Sequence, residues 1–167
     1  MTQVLILMGS DSDAGVMVAA AEALTELGVS SRMTVASAHR SPARVLRLID
    51  EAHRGGVRIF IVGAGAAAHL AGVVAAHTTL PVIGVPIDSS ALKGLDALLS
   101  TVQMPGDVPV VSVAVGMGGP RNAGLFAVQV LGTAEPALRA KFVEFKKQLV
   151  GKISSKDAKL RESLGLA

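Results

Sequence analysis

The chain has 167 residues, enough for one domain that buries roughly 70% of its unfolded surface. Half of it is hydrophobic, yet only 2% is aromatic, and Cys, Trp and Tyr are absent; this excludes disulfides, thiolate nucleophiles and cysteine metal sites, and leaves few platforms for base stacking. The formal charge of +3 is localised, with net +6 over residues 139–161 and net −2 over residues 1–138, so the basicity belongs to the C-terminal segment and no nucleic-acid partner is expected.

In chain order, a strand is predicted near Val4–Met8, followed by Gly9-Ser10-Asp11-Ser12-Asp13 and a helix near Asp13–Leu27 that Gly28 ends. A second strand near Ser30–Ala36 runs into Ser37-Ala38-His39-Arg40-Ser41-Pro42, where Ser41 caps and Pro42 opens a helix reaching Arg54. A third strand near Val57–Val62 passes through Gly63-Ala64-Gly65-Ala66 to a helix near Ala67–Thr78. The run Ile59–Ala76 is apolar except for His69, but two glycines divide it and a histidine is costly in lipid, so no membrane span is read. A strand near Val82–Val85, a helix near Ala91–Val102, a strand near Pro109–Val115 and a helix near Arg121–Leu131 follow. The last helix is placed at Pro136–Leu149, with Leu138, Phe142, Phe145 and Leu149 on one face.

Continuous apolar strands alternating with helices predict an α/β three-layer sandwich. Its core is a flavodoxin-like, doubly wound parallel sheet of five strands. Residues 1–150 are expected to form the catalytic domain, and residues 151–167 a basic, loosely held C-terminal extension. The abundance of Ala, Val, Leu and Gly points to close helix contacts and a homo-oligomer. No signal peptide is read at the N-terminus, and the lack of cysteine suits a reducing compartment, so a cytoplasmic protein is expected.

Ligands of such sheets bind beyond the carboxyl ends of the strands. After the first strand, Gly9 permits a tight turn, while Ser10, Ser12 and the helix start offer hydroxyls and N–H groups to an anion. Asp13 either caps the helix or accepts from sugar hydroxyls. After the second strand, Arg40 offers a charge-assisted fork to phosphate or carboxylate. His39 is the candidate proton carrier, because imidazole titrates near neutral pH. Gly63-Ala64-Gly65-Ala66-Ala67-Ala68 fits the dinucleotide fingerprint nominally, but it lies on the third strand rather than the first, so no dinucleotide cofactor is assigned. His53, at a helix end beside Arg54, is read as a surface position and His77 as structural, and no spacing suits a metal.

These motifs together resemble the PurE family, the N5-carboxyaminoimidazole ribonucleotide mutases of purine biosynthesis. The likeness runs from about Val4 to Leu131 and rests on Gly9-Ser10-Asp11-Ser12-Asp13, Ser37-Ala38-His39-Arg40 and Gly63-Ala64-Gly65 with Ala67-Ala68-His69-Leu70. Further matches are Gly84-Val85-Pro86, Ser90-Ala91-Leu92, Gln103-Met104-Pro105 and Asn122-Ala123. The resemblance implies an octamer, a phosphorylated aminoimidazole ribonucleotide as substrate, and no metal or organic cofactor. It implies that Ser10, Asp13 and Arg40 hold the phosphoribosyl part with Ser12 and Ser37 in support, and that His39 is the general acid/base. The turn from Gly65 through Ala66 to His69 and Leu70 would surround the carboxylate and the base. Direct carboxylation of the aminoimidazole and a non-catalytic phosphometabolite-binding module are the alternatives. The sequence departs from the family pattern at Ala66 and Asp107, where glycine is usual, and at Ala71, where proline is usual; the methyl of Ala66 would narrow the pocket.

Overall fold

The structure, a computed structural model, describes residues 1–166. The chain divides into two compact units, residues 1–128 and the segment from Gln129 onward. In the first unit five strands, β1 (Val4–Met8), β2 (Ser31–Val35), β3 (Ile59–Gly65), β4 (Val82–Ile87) and β5 (Val111–Ser112), form one sheet in the order β2-β1-β3-β4-β5. Every pairing is parallel, with Val4 opposite both Ser31 and Ile59, Phe60 opposite Val82, and Ile83 opposite Val111. This is the flavodoxin-like order, in which the chain reverses direction between β1 and β3 and opens a crevice there.

The helices are α1 (Ala14–Glu26), α2 (Pro42–Arg54), α3 (Leu70–Ala76), α4 (Leu95–Val102), α5 (Gly118–Gly132) and α6 (Pro136–Ser163). Alternate strand residues serve opposite faces. Leu5, Leu7, Phe60 and Val62 join Val45, Leu48 and Ile49 of α2 and Leu70 and Val74 of α3 in one buried cluster. On the other face Met17 of α1 lies over Gly63, and the backbone of α1 at Ala20 meets Gly124 of α5. Both faces are therefore covered, which is why the strands read as continuous apolar runs rather than alternating ones.

Several boundaries differ from the sequence expectation for local reasons. The fifth strand has two residues instead of about seven, because it is an edge strand and Pro109 has no N–H to give the ladder. Helix α3 starts at Leu70, after a loop in which Ala66 takes φ 50°, and α4 starts at Leu95, after Lys93 (φ 50°) and Gly94 (φ 82°). Two of the three departures from the family pattern, Ala66 and Asp107 (φ 69°), thus carry a side chain where the backbone is left-handed and glycine is preferred. In the second unit α6 does not stop at Leu149 but continues through Gly151 to Ser163, so most of the predicted extension is helical. Ala167, its last residue, lies outside the described residues.

Candidate active site

The loops that follow β1, β2, β3 and β4 enclose a cavity of about 410 Å³. The β1 loop contributes Gly9, Ser10, Ser12 and Asp13, and the β2 loop Ser37, Ala38, His39 and Arg40. From β3 and its loop come Ala64, Gly65, Ala67 and Leu70, while Ser89 follows β4. The volume suits a small-molecule ligand.

The β1 loop is built by its own side chains. A 3-10 turn, Asp11–Asp13, is closed at its N-terminal end by a capping box between Ser10 and Asp13. In it the Ser12 backbone N–H donates to Ser10 Oγ at 3.4 Å, and the Ser10 N–H donates to Asp13 Oδ2 at 3.1 Å. Ser12 Oγ also donates to Ser10 Oγ at 2.9 Å. The capping reading and the ligand-facing reading of this segment therefore describe the same residues. Asp13 is only 6% exposed. Burial pushes its carboxyl above the ordinary value of 3.8, against the hydrogen bonds from Ser10 and Ser12 and the nearby Arg40 charge, which favour the ionised form.

The β2 loop is tied to the β1 loop through one side chain. Arg40 donates from Nη2 to the Gly9 carbonyl at 3.0 Å and from its backbone N–H to Ser37 Oγ at 3.2 Å, with Nε 3.5 Å from the same hydroxyl. It stays exposed, so its guanidinium retains donors for an anion. Ser41 does not cap α2 through its side chain as expected. Its hydroxyl instead donates to the Ser37 carbonyl at 3.2 Å and accepts from the Ser37 N–H at 3.0 Å, which closes the loop on itself.

His39 is exposed on the cavity wall, and its Nε2 lies 2.8 Å from Nδ1 of His69, with the rings edge to face at 89°. One of these facing nitrogens must carry a hydrogen and the other must accept it. The contact therefore holds one proton between two exchangeable imidazoles, and each ring keeps its other nitrogen for a ligand or water. Such a pair can give a proton and take one back without a net change in the site.

Of the ten residues singled out in the sequence, eight (Ser10, Ser12, Asp13, Ser37, His39, Arg40, Gly65 and Leu70) line the cavity. His69 reaches it through His39, and Ala66 does not line it, so the expected narrowing by the Ala66 methyl does not occur. Sequence reasoning missed Ser89; the signal for it was only its place just beyond the carboxyl end of β4. His53 and His77 lie elsewhere, bonded to Thr78 Oγ1 at 2.7 Å and to the Val73 carbonyl at 2.9 Å. Among the described residues there is no cluster of three or more His, Cys, Asp or Glu suited to a metal, and no helix long and apolar enough to cross a membrane.

Fold and cavity together define a flavodoxin-like α/β protein with a polar pocket at its strand ends, the place where doubly wound sheets hold small ligands. The family model described as AIR carboxylase matches residues 3–152. An N5-carboxyaminoimidazole ribonucleotide mutase of Mycobacterium tuberculosis is 49% identical over 160 residues, which span 96% of this chain and 91% of the relative. One of Thermotoga maritima, with the same name, is 46% identical over 162 residues, 97% and 94% of the two chains. The crystal structure of Treponema denticola PurE superimposes with a TM-score of 0.86 at 26% identity, covering 95% of this chain and 98% of that one. This chain belongs to the AIR carboxylase (PurE) family of enzymes.

Proposed function

We propose that this protein converts N5-carboxyaminoimidazole ribonucleotide into 4-carboxy-5-aminoimidazole ribonucleotide, with His39 as the single general acid and base. The names of the two relatives support the reaction. One observation carries the assignment of His39. Its imidazole lines the same cavity as Arg40 and the Ser10–Asp13 turn, and it has a second imidazole 2.8 Å away.

Arg40, Ser10, Ser12 and Ser37 take the phosphate, and Asp13 takes a ribose hydroxyl. Protonated His39 gives its proton to the carbamate nitrogen as the bond from nitrogen to the carboxyl carbon breaks. The bonding pair stays on nitrogen, and carbon dioxide is released. The walls nearest β3, made of Ala64, Gly65, Ala67 and Leu70, offer carbon dioxide no side-chain polar group and keep water away. The ring carbon then attacks carbon dioxide with its π electrons, forming the carbon–carbon bond and a carboxylate. Neutral His39 takes the hydrogen from that ring carbon and the cycle closes with no net proton consumed. His69, hydrogen-bonded to His39 at 2.8 Å, keeps that ring oriented. Gly65, Ala67 and Leu70, from β3 and its loop, lie around the base.

The reaction asks for no metal or organic cofactor. We take the working protein to be a cytoplasmic homo-oligomer, an octamer, with residues 1–150 as its catalytic domain. The exposed apolar row Leu92, Leu95, Leu99 and Val102 supports contact with further copies. The test is His39→Asn, which replaces the titratable imidazole by a smaller, non-titrating amide that can still hydrogen-bond. Turnover of the carbamate substrate is expected to fall by about 10²–10⁴-fold while binding is retained. Undiminished turnover refutes the assignment. Turnover of aminoimidazole ribonucleotide with bicarbonate, in place of the carbamate, would replace the mutase reading with direct carboxylation.

A further inference from the structure

We infer that Ser89 recognises the migrating carboxylate: its hydroxyl donates a hydrogen bond to that group while the phosphate is held at the opposite side of the cavity. The inference rests on the function proposed above and adds a residue to it.

Three observations lead there. The first is the distribution of polar groups. The anion-binding side chains, Ser10, Ser12, Ser37 and Arg40, all come from the β1 and β2 loops, and β3 contributes no polar side chain to the cavity. Ser89 is the sole polar side chain lining the cavity from the β3–β4 side. Sheet order puts β2 and β4 three strand spacings apart, roughly 14 Å. A ligand with one anionic group bound at β2 thus extends its other end toward Ser89.

The second is which hydroxyls are already engaged. Ser10 Oγ accepts from Ser12, and Ser37 Oγ accepts from Arg40. The Ser89 hydroxyl has no hydrogen-bond partner among the described residues, so its O–H is available to a ligand. The third is how that hydroxyl is accommodated. A Cβ added to Gly65 would lie 1.8 Å from Ser89 Oγ. The hydroxyl occupies the space that any side chain at residue 65 would need, directly against the cavity wall where β3 ends. A carboxylate bound there would meet this one O–H, and a charge-assisted bond of that kind is worth more than a neutral one.

The test is equilibrium binding of two ligands to the full-length protein: 4-carboxy-5-aminoimidazole ribonucleotide and the same ribonucleotide without its carboxylate. Ser89→Ala is expected to weaken the carboxylated ligand about tenfold or more and to leave the other within about twofold. Ser90→Ala serves as the control for loop shape, because Ser90 Oγ accepts from the Leu92 N–H at 3.1 Å in the same loop. It is expected to change neither affinity. Equal weakening of both ligands by Ser89→Ala, no weakening of either, or the same selective loss with Ser90→Ala overturns the inference. If the parent protein binds both ligands and Ser89→Ala is indifferent to the carboxylate, only the role of Ser89 falls. If the parent binds neither, the proposed function falls with it.

Discussion

Gly65→Ala is the perturbation with the most readable consequence. The new methyl would lie 1.8 Å from Ser89 Oγ, 2.9 Å from Ser89 Cβ and 3.2 Å from the Ile87 carbonyl oxygen. The hydroxyl can swing to another rotamer, but the Cβ and the carbonyl require the segment after β4 to retreat by several tenths of an ångström. Overpacking of this kind costs about 1–3 kcal/mol. Loss of glycine freedom in the unfolded chain returns about 0.4–1 kcal/mol. The net destabilisation is about 1–2 kcal/mol, or a fall in melting temperature of roughly 2–8 °C at this chain length. The decisive assay is a double-mutant cycle by denaturant unfolding, with protein concentration held fixed because oligomer stability depends on it. Ser89→Ala removes the nearest clashing atom and leaves the two milder contacts. The double variant is therefore expected to be more stable than the sum of the single effects by about 0.5–1 kcal/mol. Strict additivity would refute the contact on which this reasoning depends.

Two further substitutions test the fold and the electrostatics of the site. In Gly124→Ala the added methyl would meet the Ala20 carbonyl oxygen at 2.6 Å and Ala23 Cβ at 3.0 Å. The helix-propensity gain of about 1 kcal/mol is outweighed by overpacking of about 1–3 kcal/mol against a backbone that cannot rotate away. Thermal melting is expected to fall for Gly124→Ala and to rise for Gly15→Ala, whose methyl meets nothing within 4 Å; the reverse order would disprove the close approach of α1 and α5. Asp13→Asn addresses burial of a charge. Since burial raises the native carboxyl above its ordinary 3.8, the native state binds this proton more tightly than the unfolded state does. The group's contribution is therefore most favourable at low pH and is lost as pH rises through the native value. At pH 7 the Asn variant is expected to melt higher than the parent, by a margin that closes as pH falls below about 3.8. It should also bind ribonucleotide more weakly. A variant less stable than the parent at pH 7 would contradict the cause assigned to the shift.

Much of the fold was legible because its signals are local. Runs such as Val4–Met8 and Ile59–Val62 are apolar throughout, as a strand covered on both faces must be. The loops carrying Ser10–Asp13 and Ser37–Arg40 could be singled out because polar residues at strand ends are the expected location of a site in this class of sheet. The length of α6 was not legible for a related reason. In the one-face pattern Leu138, Phe142, Phe145, Leu149, burial ends at Phe145 and Leu149 is already exposed, but the backbone continues helical through residues of good helix propensity, and one Gly151 does not interrupt it.

By itself the sequence determined the class of sheet, the chemistry available at each strand end and the family resemblance, since each depends on residue identity and short-range spacing. Only the tertiary structure decided that His39 meets His69 across 30 residues, that Arg40 bonds the Gly9 carbonyl 31 residues away, and that Ser89 fills the space left by Gly65. These contacts exist because parallel strands bring loops distant in sequence to one edge of the sheet. Whether two side chains then touch depends on register and on missing side-chain atoms, which no local pattern encodes.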